Sequence, residues 1–272
     1  MGRYSLRLVF VFCALFLSVL PSRGYAIDGK ALDVAGLQAR ADSMSVGQRI
    51  AFFADQFVGV PYDTDPAGLY VTRDAIVADD RVDCMYLVFR SVELALSSTP
   101  AGAQNIALLM RFRTMGRLGP DGKVLNYNDR FRYGLDMILS GKWGRNITAS
   151  LGKTEPVVTS RRFQKMGVDE VQILPRAEID GALPSFKSGD IVFFVKDPAR
   201  RVAQEVIGHM GILDVEGGKV YLIHAHGEKA VPSLAGSDGG FEGNKAGAVA
   251  KIPFSDYAEK MPFMGIMVTR FD

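Results

Sequence analysis

Residues 188–195 read Ser-Gly-Asp-Ile-Val-Phe-Phe-Val, and the last five form an unbroken apolar run. Such a run is typical of a strand that is buried on both faces of a sheet. Two further apolar segments, 210–215 and 220–225, are joined by Glu216-Gly217-Gly218-Lys219, which predicts a β-hairpin. A last strand is predicted at 263–271. The second half of the chain is therefore expected to form a sheet with short connections.

The residues before this region carry helical patterns instead. Apolar residues recur at a spacing near 3.6 between positions 31 and 58, and Gly59-Val60-Pro61 ends that pattern. Further helices are predicted at 106–115 and 131–139. Helices first, followed by strands joined through short turns, indicate an α+β domain with an antiparallel sheet packed against helices.

Cys84 is predicted to lie in the first turn of another helix. Asp83 before it is a favourable N-cap residue, and the apolar residues that follow recur at helical spacing. Arg90 and Glu93 fall on a different face from those apolar residues. Because the start of a helix carries partial positive charge, this position favours a thiolate.

The first 26 residues have the pattern of a signal peptide. A basic start is followed by 13 apolar residues at 8–20 and by small residues at Gly24 and Ala26, which predicts cleavage before Ile27. Thirteen residues are too few to span about 30 Å of hydrocarbon. We therefore expect no membrane anchor after cleavage and a periplasmic or secreted protein.

The mature chain, residues 27–272, would carry 29 basic and 30 acidic residues, so its net charge is close to zero. No basic run is present, and nucleic acid is not an expected partner. The length fits one large domain or a domain with a sizeable insertion. We expect a monomer.

Cys84 is the single cysteine left after this cleavage, and all three histidines fall between 209 and 226. A lone thiol in an oxidising compartment is either buried and inert or kept because it reacts, and a cysteine nucleophile needs an imidazole base. His209 is the expected base and His224 the residue that orients it. His226 has the same strand parity as His224, so alternation alone does not separate the two. A zinc site is the alternative use of three histidines, but no compact set of further ligands accompanies them, and we expect neither a metal nor a cofactor.

Five short motifs, taken in order, resemble those of the NlpC-type papain-like cell-wall hydrolases. They are Gly59-Val60-Pro61-Tyr62, Asp83-Cys84, residues 188–194, Gly208-His209-Met210-Gly211-Ile212 and Ile223-His224-Ala225. The long separation of Cys84 from His209 resembles the N-acetylmuramoyl-L-alanine amidase-like branch, which carries an insertion there. Residues 127–133 are similar to the tyrosine–arginine–tyrosine signature of that branch, and residues 265–270 also fit.

The resemblance implies a papain-like fold with the catalytic cysteine at a helix N-terminus and a helical insertion at about 100–185. It implies that Cys84 is the nucleophile, His209 the base and His224 the third polar residue. The substrate contacts that it implies are Tyr62, Asp83, Tyr127, Arg130 and Tyr133. Two departures stand out: Met85-Tyr86 follows the cysteine where small polar residues are usual, and Arg132 stands where the signature has histidine.

The function that the resemblance implies is hydrolysis of peptidoglycan fragments (muropeptides), with the N-acetylmuramoyl–L-alanine amide as the expected bond. A γ-D-glutamyl endopeptidase acting on the same polymer is the alternative within enzymes. A non-catalytic cell-wall-binding module and an acyltransferase that uses the same thiol on lipid stay open, although the intact Cys84 and His209 speak against the binding module.

Overall fold

The computed structural model describes residues 26–27, 30–63, 77, 79–201, 204–227 and 247–272. The predicted signal peptide lies outside these ranges except for Ala26, as does the glycine-rich stretch 236–246. In the described part of the chain, no helix is long and apolar enough to cross a membrane.

The α-helices flank the chain's sheet and include several single-turn elements. They are α1 Val34–Ala41, α2 Val46–Asp55, α3 Cys84–Ala95, α4 Pro100–Met110, α5 Gly134–Ser140, α6 Thr148–Leu151, α7 Arg161–Gln164, α8 Ile179–Ala182 and α9 Phe254–Lys260.

The strands are mostly in the second half of the chain. They are β1 Ala26–Ile27, β2 Lys30–Ala31, β3 Arg145–Asn146, β4 Glu155–Val158, β5 Glu170–Pro175, β6 Ile191–Val195, β7 Ile207–Glu216, β8 Lys219–Ala225, β9 Val249–Pro253 and β10 Gly265–Arg270.

One sheet organises the molecule, in the order β4-β5-β10-β6-β7-β8-β9, with β3 paired to the far end of β10. All of its pairings are antiparallel. This confirms the predicted α+β class and the antiparallel sheet packed against helices. It also confirms the central position of β6, whose five residues are all buried.

The side chains of β6 alternate between two cores, one on each face of the sheet. Ile191, Phe193 and Val195 belong to the core that includes α3, whereas Val192 and Phe194 belong to the core that includes α9. The sheet is thus covered by α3 on one face and by α9 on the other. An apolar strand between two such layers explains the unbroken run of 191–195.

The hairpin between β7 and β8 is confirmed, with a longer first strand than predicted. Glu216 pairs with Lys219, and the two glycines between them have φ of 55° and 78°. A two-residue hairpin turn with positive φ at both central positions is the type whose twist matches the strands, and glycine adopts it without strain. The turn therefore fixes the register that aligns β7 with β8.

Helix α3 is central to the helical layer, and its start agrees with the prediction. The Asp83 carboxylate accepts the backbone N–H of Tyr86 at 2.6 Å, so Asp83 is the N-cap and Cys84 the first helical residue. Residues 86–95 are all buried, because α2, α4 and β7 surround the helix.

The charged residues of α3 are buried, which the periodicity did not indicate. Arg90 Nε lies 2.9 Å from Asp79 Oδ1, and Arg111 Nε lies 2.5 Å from Glu93 Oε1. Tyr86 adds a hydrogen bond from its hydroxyl to Asp79 at 2.8 Å. These pairs attach the segment before α3 and the end of α4 to the helix, so the second face of α3 contacts protein and not water.

Several predicted helix boundaries were wrong. The helical pattern of 31–58 is two helices, since Ser45 and Gln48 form a capping box that starts α2. The helix predicted at 106–115 instead begins at Pro100, where the Thr99 side chain caps it, and ends at Met110. The prediction also missed β4 and β5. These strands extend the sheet beyond β10, where β5 pairs with β10 and β4 pairs with β5.

Candidate active site

Cys84 is a partly exposed free cysteine at the N-terminus of α3. The pKa of the thiol is raised to about 12. Burial of the thiol is the largest cause and the negative charge of Asp83 the second, whereas the backbone N–H groups of Met210, Cys84 and Met85 lower it. The resting thiol is therefore neutral. The thiolate that the helix start led us to expect is not the favoured form, because desolvation outweighs the helix-terminal N–H groups here.

The strand that carries His209, β7, is not paired with β8 along its first residues. The β7–β8 ladder extends from the Glu216–Lys219 pair to the Ile212–Ile223 pair, while β8 continues along β9 as far as Ala225. Residues 207–211 of β7 thus lie beyond this ladder. The backbone N–H of Met210, in this segment, lowers the pKa of the Cys84 thiol.

His209 and His224 form a hydrogen bond across this opening. The Nε2 atom of His209 lies 2.9 Å from Nδ1 of His224. Gly211 makes this possible, because a Cβ atom there would lie 3.1 Å from His224 Cβ and 2.7 Å from the Ile223 carbonyl oxygen. His224 is only 4 % exposed. The structure therefore brings two of the three predicted catalytic side chains into direct contact.

Burial keeps both imidazoles of this pair neutral. It lowers the pKa of His209 to about 4, with a smaller contribution from His226. It lowers the pKa of His224 to about 3, with smaller contributions from His209 and His226. In a pair of neutral imidazoles one nitrogen donates and the other accepts. Within the described residues, no hydrogen bond engages the second ring nitrogen of His209, Nδ1, which leaves it available as a base.

His226 lies on the same side of β8 as His224, as the parity predicted. The two rings stack with centroids 5.3 Å apart. His226 is exposed, however, and among the described hydrogen bonds its ring takes part in none with the other histidines. The geometry thus separates the two residues that alternation left equivalent.

The charge of Cys84 acts on two tyrosines from different parts of the chain, Tyr62 and Tyr257. Tyr62, which the resemblance placed in the site, is half-buried, and burial followed by the charge of Cys84 raises its pKa. Tyr257 on α9 has its pKa raised by the same two causes. The sequence reasoning missed Tyr257. It carries no motif, and the one available signal was the Phe254–Tyr257 spacing of a short helix.

A cavity of about 590 Å³ opens beside the two histidines. Its described lining is mostly apolar and aromatic. The lining includes Tyr62, Phe194, Lys196, His226, Tyr257 and Phe263.

Helix α5, which directly follows the signature segment 127–133, packs against the start of β7. A Cβ atom on Gly134, its first residue, would meet Met210 Cε at 2.8 Å and Ile207 Cγ2 at 2.9 Å. The Arg130 guanidinium lies 3.7 Å from the centre of the Tyr127 ring. The Tyr133 ring lies 6.3 Å, between centroids, from that of Phe163 on α7.

Asp83 and the two departures from the family pattern have structural partners. Asp83 caps α3, and burial raises the pKa of its carboxyl. Tyr86 is 5 % exposed and its hydroxyl bonds Asp79, so it faces the core. Arg132 is exposed and donates to Asn128 Oδ1 at 3.1 Å.

The described ranges contain no group of three or more His, Cys, Asp or Glu side chains arranged to hold a metal ion.

Several solved structures share this fold. An N-acetylmuramoyl-L-alanine amidase from Bacteroides uniformis aligns with a TM-score of 0.60 at 22 % identity, covering 83 % of this chain and 98 % of that one. A Legionella pneumophila protein of the family described as DUF1460 aligns at 0.60 and 15 % identity, covering 86 % and 92 %.

A Bacteroides fragilis protein named as a xylanase candidate aligns at 0.58 and 21 % identity, covering 80 % and 98 %. No family model and no curated protein sequence matches this chain. At such identities the likeness concerns the fold alone.

Proposed function

We propose that this chain is an exported cysteine amidase of the papain-like class that hydrolyses the N-acetylmuramoyl–L-alanine bond of peptidoglycan fragments. The observation that carries the proposal is the hydrogen bond between His209 and His224. His209 lies on β7 next to Met210, whose backbone N–H lowers the pKa of the Cys84 thiol. The amidase of Bacteroides uniformis with the same fold supports the choice of substrate.

In the proposed reaction the neutral thiol and the neutral imidazole act together. Nδ1 of His209 takes the Cys84 proton as the sulfur attacks the amide carbonyl, so no free thiolate accumulates. Backbone N–H groups at the start of α3 and that of Met210 are the donors for the tetrahedral oxyanion. The imidazolium of His209 then donates its proton to the departing amine, leaving a thioester that water hydrolyses with His209 again as base.

His224 has a defined part in this cycle. Once protonated, His209 has N–H groups on both nitrogens, so Nε2 must donate and Nδ1 of His224 must accept. His224 therefore carries its own proton on Nε2. In this form it holds the His209 ring and stabilises the imidazolium, as the third member of a catalytic triad does.

The proposal includes a signal peptide at 1–26, a single domain at 27–272 with an insertion at about 100–185, and action in the periplasm or outside the cell. Muropeptides are the proposed partners, and the enzyme acts as a monomer. Tyr62, Tyr127, Arg130 and Tyr133 are the proposed substrate contacts, whereas the contacts of Asp83 favour a role in capping the helix.

Glycoside hydrolysis is the second activity that a neighbour's name raises. Most glycosidases need two carboxyl groups about 5–9.5 Å apart across the scissile bond. Among the described residues that line the cavity, none is an aspartate or a glutamate. The chemistry of the site therefore favours the amidase.

The decisive experiment incubates the mature protein with purified muropeptides and weighs the products by mass spectrometry. The amidase releases an intact peptide that starts at L-alanine. A γ-D-glutamyl endopeptidase would instead leave L-Ala-D-Glu on the sugar. Cys84→Ala is the control for a nucleophilic thiol, and unchanged turnover by this variant would refute the mechanism. Absence of any product from the folded wild-type protein would favour a binding module.

A further inference from the structure

Tyr257 is the described side chain whose ring contacts both members of the histidine pair. Its ring centroid lies 4.9 Å from that of His224, at an interplanar angle of 68°, and 6.0 Å from that of His209. The residue is 8 % exposed. It reaches this position from α9, on the sheet face opposite α3, where both imidazoles also project.

Two phenylalanines complete an aromatic wall with Tyr257, which we define as Phe194, Tyr257 and Phe263. Phe194 stacks on His209 with centroids 5.7 Å apart and lies 4.9 Å from Tyr257. Phe263 contacts Phe194 at 4.8 Å and Tyr257 at 6.4 Å. No ring contact joins Phe263 to either histidine within the described residues. The wall therefore has two members that contact the histidines and one that only supports them.

The hydroxyl of Tyr257 makes no hydrogen bond to any described residue. The contacts of Tyr257 with the histidines are therefore contacts of its ring. This distinguishes Tyr257 from Tyr86, whose hydroxyl bonds Asp79. A phenylalanine at position 257 would keep the ring contacts.

We propose that Tyr257 is a positioning residue whose ring covers the His209–His224 hydrogen bond, excludes water from it and holds His224 in the orientation that reaches His209. The consequence for catalysis rests on the proposed function, whereas the shielding itself does not. A hydrogen bond is stronger in a site of low dielectric constant, and the charged form of an imidazole is disfavoured there.

Other groups around the pair also affect its titration. His226, directly after β8, stacks on His224, and Tyr62 and Lys196 line the same cavity. The charge of Cys84, at the start of α3, acts on Tyr257 itself. The Lys196 ammonium is paired with the Glu205 carboxylate. A substitution at position 257 leaves all of these side chains in the protein, so a difference between Tyr257→Ala and Tyr257→Phe reports the effect of the ring.

The test is an NMR titration of protein labelled with ¹³C and ¹⁵N in its three histidines, without substrate. We expect Tyr257→Ala to raise the pKa of His209 and His224 by about one unit or more towards 6.5, because water then solvates the charged forms. Tyr257→Phe should leave both values unchanged. Phe263→Ala is the matched control: it removes a ring from the same cavity without uncovering the pair and should shift them far less.

Unchanged histidine titration in folded Tyr257→Ala would overturn the proposal. Equal shifts in Tyr257→Phe would assign the effect to the hydroxyl, and equal shifts in Phe263→Ala would assign it to general loosening. Either result also overturns it. If the alanine variant does not fold, Tyr257→Leu should shift both values in the same direction by a smaller amount, because leucine covers less of the pair than the ring does. A wild-type protein without amidase activity would refute the proposed function and leave this titration result intact.

The kinetic arm then uses muropeptides. Tyr257→Ala should lower kcat on the order of tenfold. It should also move the acidic limb of the pH profile of kcat/KM to higher pH by the shift seen in NMR. Tyr257→Phe should restore both. A purely structural role would lower the amount of folded enzyme without moving the pH profile.

Discussion

Removal of the His224 imidazole should lower kcat/KM on muropeptides on the order of 10²-fold or more. The side chain is 4 % exposed and its Nδ1 lies 2.9 Å from His209 Nε2. A hydrogen bond to a charged group contributes about 1.5–3 kcal/mol, and at 1.36 kcal/mol per decade this is about 10- to 150-fold in rate. Loss of orientation adds to it, because a misplacement of about 1 Å can cost about 10²-fold.

Two variants test whether this loss comes from the acceptor. In His224→Asn the side-chain oxygen is attached to Cγ, as Nδ1 is in histidine, so the acceptor is retained and most of the rate should return. His226→Ala is the matched control on the same strand face. It removes an exposed ring that stacks on His224 without a described bond to His209, and a surface change of this kind should alter the rate by about threefold or less.

The assay is steady-state release of the peptide product, followed by mass spectrometry, with thermal unfolding to confirm that each variant is folded. A larger loss for His226→Ala than for His224→Ala would show that the third residue is assigned wrongly. An inactive His224→Asn that is well folded would show that the acceptor is not what matters.

Three further predictions concern the reactivity of Cys84, the pH profile and the Gly211 position. Because burial raises the pKa of Cys84 to about 12, iodoacetamide should label this thiol slowly near pH 7 and faster above about pH 9. Intact-mass measurement follows the labelling, and rapid labelling at about pH 6 would contradict a neutral thiol. His209, with its pKa lowered to about 4, is protonated only as the pH falls through that value, so kcat/KM should stay level from about pH 5.5 to pH 9; an acidic limb near 6.5 would refute this. Gly211→Ala places a Cβ atom 2.7 Å from the Ile223 carbonyl oxygen, so it should lower the free energy of unfolding in urea by about 1–3 kcal/mol and also lower kcat/KM. Full activity of this variant would show that Gly211 does not shape the His209–His224 pair.

The buried ion pair of α3 offers a separate test of stability. Glu93→Gln leaves the Arg111 guanidinium buried without its carboxylate, and breaking a buried pair in this way costs about 3–5 kcal/mol. Urea unfolding measures this loss. A change below about 0.5 kcal/mol, typical of surface sites, would show that water reaches the pair.

Local chemistry in the sequence was enough for the elements that carry the site. Asp83 marks the start of α3 because its carboxylate satisfies a helix N–H, and two adjacent glycines mark the β7–β8 turn because they alone adopt its backbone without strain. The apolar run of β6 needed no partner to be recognised. Side-chain parity likewise placed His224 and His226 on one face of β8.

Other features depended on what packs against each element. Helical periodicity places Arg90 and Glu93 on one face, but only the arrival of Asp79 and Arg111 makes that face interior. The pKa directions of Cys84 and His209 are opposite to those of a thiolate–imidazolium pair, because desolvation depends on the surrounding walls and not on the residue type. Tyr257 reaches the histidines only because α9 folds back over β8. Short-range patterns determine where elements begin and which way their side chains alternate, whereas contact and desolvation arise between residues distant in sequence, and those only the tertiary structure decided.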